Sequence, residues 1–151
     1  MKLRSKITIN AAPETIWALI AEPDLIAQWN PKLVAATPDG PKEAGFGHSY
    51  QFTFRMTKRE SHCQATLTRF DHPKSLTWDY HGTTEQGTPW TVQDQFTLDA
   101  KGPSTRVSRC LDLSRAPLPG WAKPIVWLIT TFGKPVDTPQ LEELKRLAES
   151  L

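Results

Sequence analysis

Hydrophobic and polar residues alternate along most of the chain, and this period of two predicts β-strands. The first such stretch covers residues 2–9, where Leu3, Ile7 and Ile9 share one face with basic or polar residues opposite. The alternation returns from residue 33 to 113, in segments separated by short turns rich in Gly, Pro and Asp. Consecutive strands joined by short turns favour an antiparallel meander of about seven strands with one apolar face.

Two short segments after the first strand show helical rather than strand spacing. Pro13 and Glu14 are typical of a helix start, and an apolar side follows at residues 16–20. Pro23 ends this helix and begins a second one, which Asn30-Pro31 ends in turn. The pattern therefore predicts two short helices directly after the first strand.

The C-terminal segment supplies the cover that an apolar sheet face needs. Apolar residues recur at helical spacing over residues 121–132, and Gly133 and Pro135 predict a kink or break after them. A final helix is expected with Thr138 as its cap and Pro139 at its first position. Its expected inner stripe consists of Leu141, Leu144, Leu147, Ala148 and Leu151. The prediction is an α+β fold over residues 1–151: a single domain whose curved antiparallel sheet wraps a long C-terminal helix.

Composition argues against several classes of protein. The 18 basic and 16 acidic residues give a net charge of +2, so we expect no nucleic-acid partner. Cys63 and Cys110 are too few for a disulfide scaffold and lack metal-ligand spacing, so we expect no metal and no cofactor. The longest strongly apolar run, residues 125–129, is too short for stable membrane insertion. The chain begins on a strand pattern rather than a leader, which favours a cytoplasmic protein; the oligomeric state stays open.

The N-terminal third carries a more specific pattern of Trp and Pro positions, all within residues 9–31. Its elements are Ala12-Pro13, Ile16-Trp17, Leu19-Ile20, Pro23-Asp24 and Trp29-Asn30-Pro31. This string resembles the opening of the START-like (SRPBCC) superfamily, in its polyketide cyclase/dehydrase and lipid-transport branch. The order of elements is similar to that family's helix-grip fold over nearly the whole chain.

The resemblance implies a cavity between the sheet and the long helix. Relatives use this cavity for lipids, sterols, plant hormones, quinones or polyketide intermediates; other members are enzymes, and one branch activates a heat-shock chaperone's ATPase. Because the superfamily has no invariant catalytic set, the resemblance carries no catalytic residues over to this chain.

The register of the last two strands brings two charges onto the apolar face. If the turn at residues 99–104 closes Leu98 on Thr105, then Asp94 lies opposite Arg109. Burying either charge alone would be very costly, so the two are expected to pair. One interpretation is a buried salt bridge that fixes the register, and the other is a polar anchor for a ligand.

A second register concerns the middle of the sheet. A turn at residues 71–74 that closes Phe70 on Ser75 would place Leu67 opposite Trp78. This arrangement keeps the apolar residues of both strands on one face, which a slip by a single residue would destroy.

Aromatic residues dominate the inward positions of the middle strands. Tyr50 and Tyr80 are each interpreted as aromatic core, but together with the charged pair they are also candidate hydrogen-bond donors to a ligand carbonyl. The predicted ligand-binding residues are Tyr50, Phe52, Phe54, Trp78, Tyr80, Trp90, Asp94, Phe96, Arg109 and Leu128.

Three functional hypotheses follow from this pattern together with what the family resemblance implies. The leading hypothesis is binding or carriage of a small apolar or aromatic ligand in an internal cavity. The alternative is a cyclase or dehydrase in which Arg109 stabilises an enolate or carbonyl oxygen and Tyr50 or Asp94 moves a proton. A third is a protein-interaction module like the chaperone activators, which predicts a broad exposed patch instead of a cavity.

Overall fold

One antiparallel sheet and the helices packed on it make up the described part of the chain. The computed structural model describes residues 2–40, 47–56, 59–84, 87–116 and 138–151. The strands are β1 (Lys2–Ile9), β2 (Leu33–Pro38), β3 (Ser49–Met56), β4 (Arg59–Asp71), β5 (Ser75–Thr83), β6 (Pro89–Lys101) and β7 (Ser104–Asp112). The helices are α1 (Pro13–Ala21), α2 (Pro23–Trp29) and α3 (Thr138–Ser150). The strands form a seven-stranded sheet in the order β1-β7-β6-β5-β4-β3-β2, which confirms the predicted helix-grip architecture.

Alternation of side chains along the strands sets which face of the sheet is covered. In β1, Leu3, Ser5 and Ile9 are buried, while the intervening basic residues are exposed. The covered face carries large apolar side chains along the whole sheet, and α3 packs against β1, α1 and α2. The alternation predicted for the first strand is therefore confirmed.

Two tryptophans hold the junction between α1 and α2 from the core side. The indole nitrogen of Trp29 donates to the carbonyl oxygen of Leu19 at 2.7 Å, and that of Trp78 donates to Ile20 at 2.9 Å. In a continuous helix the Leu19 carbonyl would accept from the residue four positions later, which is Pro23 and has no N–H. Side-chain donors thus satisfy carbonyls that would otherwise be buried without partners.

Helix α3 covers the sheet with a shorter stripe than the sequence indicates. Leu141, Leu144 and Ala148 are buried, as predicted. Leu151, predicted to belong to this stripe, is 77% exposed because it follows the last helical residue. The predicted apolar helix over residues 121–132 lies outside the described residues.

Two of the predicted turn closures are wrong, and the one between β6 and β7 is off by two residues. Ala100 rather than Leu98 pairs with Thr105, so Asp94 lies opposite Leu111. Its partner Arg109 comes two residues earlier in β7, opposite Phe96. The strand faces are unaffected, because a shift by two residues preserves the alternation.

The turn after β4 differs in a second way. Leu67 lies opposite Trp78 as predicted, but Phe70 pairs with Leu76 and not with Ser75. A bulge after Leu67 absorbs the difference.

Candidate functional site

Aromatic side chains from β3 and β5 pack together at the centre of the covered face. We call Tyr50, Phe52, Phe54, Trp78 and Tyr80 the aromatic cluster. The ring of Phe52 lies 5.4 Å from that of Trp78 and 6.0 Å from that of Tyr80, centroid to centroid. Phe52 and Trp78 are each 1% exposed. The middle of the cluster is therefore packed core, and two open spaces among the described residues lie beside its ends.

A cavity of about 340 Å³ lies beside one end of the cluster, between the inner face of the sheet, the end of α2 and the start of α3. This volume is at the small end of the range typical for ligand pockets. Its apolar walls come from Leu3, Phe54, Tyr80, Trp90, Val92 and Leu111.

The predicted ion pair forms part of the cavity wall. Nε and Nη2 of Arg109 donate to the two carboxylate oxygens of Asp94 at 2.8 and 2.7 Å. The pair spans a diagonal between β6 and β7, which long side chains can bridge. The guanidinium carbon also lies 5.1 Å from the ring centroid of Phe96, within the range of a cation–π contact. Both side chains are almost fully buried, so the pairing avoids an isolated buried charge.

Gln140 connects this pair to the C-terminal helix. Its side-chain oxygen accepts a hydrogen bond from Nη1 of Arg109 at 2.8 Å. Its amide nitrogen, which has no partner among the described residues, can donate to a molecule in the cavity. The arrangement links β6, β7 and α3 through a single guanidinium group.

Tyr80 adds a neutral hydroxyl to the cavity. It is half-buried, and its hydroxyl has no hydrogen-bond partner within the described ranges. Burial raises the pKa of this phenol well above its usual 10.0, and the Asp94 carboxylate raises it further against the opposing effect of Arg109. The group is therefore a hydrogen-bond donor rather than a base at neutral pH.

Gly82 makes room for the Trp90 indole at the cavity wall. The two residues are cross-strand partners on β5 and β6. A Cβ atom at position 82 would lie 2.6 Å from Cε2 and 2.9 Å from Nε1 of Trp90. The indole thus packs directly on the glycine backbone, and any side chain there would displace it.

The structure brings half of the predicted site residues together around the cavity. Phe54, Tyr80, Trp90, Asp94 and Arg109 line it. The other predicted residues are distributed elsewhere: Phe52, Trp78 and Phe96 are in packed core, Tyr50 lines a separate cleft, and Leu128 lies outside the described residues. A ligand-binding role for each of them stays a prediction.

Several lining residues were not anticipated from the sequence. Asn30, at the end of α2, and Gln140, on α3, reach the cavity from elements that the strand pattern does not connect to it. Leu3 was expected on the inner face of β1 but not at the cavity. All three lie near the end of a helix or strand, and only the tertiary structure brings these ends together at the cavity.

Other chemistry at the site is limited. Among the described residues, no group of three or more His, Cys, Asp and Glu side chains could hold a metal ion. Cys63 and Cys110 are both free, and burial raises the pKa of the Cys63 thiol to about 12, which makes it a poor nucleophile. Within the described ranges, no helix has the length and apolar character needed to cross a membrane.

The sheet, the covering helices and the cavity beside them define a helix-grip protein with a pocket on the covered side of its sheet. The family model described as "Polyketide cyclase / dehydrase and lipid transport" matches residues 1–149, and the chain belongs to this family. The resemblance indicated by the N-terminal pattern is thereby confirmed. The curated proteins contain no significant sequence match.

Solved structures of similar fold come from several organisms. Protein TTHA0849 from Thermus thermophilus has a TM-score of 0.74 at 12% identity, covering 99% of this chain and 98% of that one. Protein MLL2253 from Mesorhizobium loti has a TM-score of 0.70 at 13% identity, covering 99% and 98%. Ginseng major latex-like protein 151 from Panax ginseng has a TM-score of 0.67 at 10% identity, covering 98% and 97%. At such identities the likeness concerns the fold.

Proposed function

We propose that the protein binds or carries a small, largely apolar molecule with a hydrogen-bond acceptor, in the cavity beside Trp90. The observation that carries this proposal is the cavity of about 340 Å³, whose walls are apolar except for a few convergent polar groups. The family's description as polyketide cyclase / dehydrase and lipid transport supports the same class of ligand.

The volume and the polar groups narrow the ligand class. A compact ring compound such as a quinone or a polyketide-like aromatic suits a cavity of about 340 Å³ better than a long lipid chain does. Donors from Tyr80 and Gln140 suit a carbonyl or hydroxyl oxygen of that compound. Asp94 and Arg109 satisfy each other, so this pair requires no charge on the ligand; Lys32 is the one further charged residue among the described lining residues.

The alternative, a cyclase or dehydrase that uses the same cavity, requires a group free to accept a proton. Both oxygens of Asp94 accept hydrogen bonds from Arg109, and the described lining residues include no histidine. The geometry therefore favours binding or carriage over catalysis. We place this activity in the cytoplasm, a proposal supported by the two free cysteines.

Filling the cavity tests the proposal directly. Val92 is half-buried and lines the cavity, so Val92→Trp would occupy space that a ligand needs. The probes are 1,4-naphthoquinone, the polyphenol naringenin and lauric acid, with affinities measured by isothermal titration calorimetry. We expect the ring compounds to bind more tightly than lauric acid, and Val92→Trp to weaken their binding by about tenfold or more.

Val34→Trp is the matched control, because Val34 is 40% exposed on β2 and does not line the cavity. It should bind the probes as the parent protein does, which separates cavity filling from a general effect of an added indole. Failure of all three probes to bind, or equal binding by Val92→Trp and the parent protein, would contradict the proposal.

A further inference from the structure

A second cleft, distinct from the cavity beside Trp90, lies between the α1–α2 junction and the strands β2, β3 and β4. Its volume is about 810 Å³, within the range of small-molecule pockets. The central residues of the aromatic cluster separate it from the first cavity: Tyr50 faces the cleft, whereas Phe54 and Tyr80 face the cavity. The two spaces therefore have different walls and different chemistry.

Aromatic side chains form the floor of this cleft. Trp17 of α1 is nearly buried and meets Phe70 edge to face, with ring centroids 5.1 Å apart. His72 meets the same indole edge to face at 5.0 Å. Tyr50 adds a further ring from β3. Aromatic rings of this kind attract organic cations through their negative faces.

Carboxylates form the rim. Glu14, Glu22 and Asp24 are exposed, line the cleft and take part in no ion pair within the described ranges. Glu14 and Asp24 lie in the first turns of α1 and α2, where they also complement the helix dipoles. The described lining residues include no Lys or Arg. Among the described lining residues, therefore, no Lys or Arg neutralises the negative charge of the rim.

The Tyr50 hydroxyl is the second, independent feature of the cleft. Tyr50 is only 3% exposed, yet its hydroxyl has no hydrogen-bond partner in the part of the chain that the structure describes. The hydroxyl oxygen itself is not sealed in the core, so it is open to a molecule in the cleft. Burial raises the pKa of this phenol, and the carboxylates of Asp24 and Glu22 raise it further, which is consistent with the hydroxyl lying on their side of the ring.

We propose that this cleft binds a small organic cation, an amine or ammonium compound with an apolar body, held by the carboxylates of Glu22 and Asp24, the Trp17 and Phe70 rings and the Tyr50 hydroxyl. The carboxylates attract the charged group, and the aromatic floor contacts the apolar body. The Tyr50 hydroxyl accepts a hydrogen bond from an N–H of the amine. This site is additional to the proposed function of the other cavity and does not depend on it.

Probes that differ in charge but not in shape test this proposal. Phenethylamine is cationic at neutral pH, 2-phenylethanol is its neutral counterpart, and phenylacetate is an anionic one. Binding is measured by calorimetry and located by ¹H–¹⁵N chemical-shift changes, using the amides of Ala18 and Ala36 as cleft reporters. We expect phenethylamine to bind most tightly, more weakly at high salt, and to shift the cleft amides.

Substitutions then assign the binding to the named groups. Glu22→Gln with Asp24→Asn should weaken phenethylamine binding by about tenfold, and Tyr50→Phe by about two- to tenfold. Glu142→Gln is the matched control, because Glu142 is exposed on α3 and lies outside the cleft. Tyr50→Phe keeps the aromatic ring, so it tests the role of the hydroxyl even if the Glu22→Gln/Asp24→Asn variant fails to fold.

Four results would overturn the proposal. The first is that phenethylamine binds no better than 2-phenylethanol. The second is that its affinity is unchanged in both Glu22→Gln/Asp24→Asn and Tyr50→Phe. The third is that the amides with shifted signals lie around Trp90 instead of around the cleft. Tight binding of a lysine-rich peptide without binding of phenethylamine would also overturn it, in favour of a protein-docking surface. Val92→Trp should leave phenethylamine binding unchanged, so failure here is distinguishable from failure of the proposed function.

Discussion

Replacing Arg109 with methionine removes the charge that Asp94 is paired with, while keeping a long side chain beside Phe96. Asp94 is 3% exposed, so its carboxylate would be left as a buried charge without its cation. Breaking a buried pair in this way costs about 3–5 kcal/mol. With a urea slope of about 2 kcal/mol per molar, the denaturation midpoint should fall by roughly 1.5–2.5 M.

Removing both charges tests whether the cost comes from the unpaired partner. Asp94→Leu alone should be as destabilising as Arg109→Met alone, because each leaves one buried charge behind. The double variant should recover most of the loss, since apolar residues of similar size often replace a buried pair without penalty. If the two single losses simply added, the double variant would lose about 6–10 kcal/mol. This is comparable to the total free energy of unfolding of a typical domain, so such a variant would be unfolded. An unfolded double variant, or an unchanged midpoint in the single variants, would refute the reasoning.

The same double variant separates the two interpretations of the pair. If the ion pair only fixes the strand register, a folded Asp94→Leu/Arg109→Met protein should bind 1,4-naphthoquinone as the parent does. If the pair anchors the ligand, binding should be lost although the fold is intact. Near-ultraviolet circular dichroism of the variant confirms folding independently of ligand binding.

Two further predictions concern the cavity wall. Gly82→Ala should destabilise the protein by about 1–3 kcal/mol and shift the tryptophan emission, because the new Cβ displaces the Trp90 indole. Gly40→Ala is its control, since a Cβ there meets nothing within 4 Å, and equal effects of the two changes would contradict the packing argument. The raised pKa of Tyr80 means that the folded state favours the neutral phenol, so its contribution to stability is complete below about pH 10 and is lost as the pH rises towards the folded pKa. Urea midpoints between about pH 9 and about pH 11 should therefore fall less in Tyr80→Phe than in the parent, and identical slopes would contradict this.

The alternation of residues predicted the faces of the strands well and the turn closures less well. Leu98 was expected opposite Thr105, but the last hairpin is tighter, with Lys101 paired to Ser104. Gly102 occupies the first central position of that turn with φ 64°, as a type II′ turn requires. The Gly102-Pro103 dipeptide was a usable signal for this turn. A register shift by two residues changes no face, so hydrophobicity alone could not detect it.

The sequence could predict which side chains point inward, but not where they leave space. Phe52 and Trp78 point inward as expected, and they meet each other instead of lining a hollow. Whether facing aromatic rings touch depends on sheet curvature and strand spacing, which a residue pattern does not encode. Gln140 was missed for a related reason, because its contact with Arg109 joins residues 31 positions apart on different elements.

The indole N–H groups of Trp29 and Trp78 cap the end of α1, and the second of them ties the α1–α2 junction to the sheet. Trp78 belongs to the middle strand of the sheet, yet its donor reaches the carbonyl of Ile20 just before the chain turns at Pro23. Exchanging Trp78 or Trp29 for phenylalanine would preserve hydrophobicity and still leave a backbone oxygen stranded in the core, at a cost of about 1–3 kcal/mol. Buried side chains of the core therefore set the angle between α1 and α2, and with it the opening of the second cleft, whose rim carries Glu14, Glu22 and Asp24. A design that transfers this helix pair to another sheet would have to include both tryptophans.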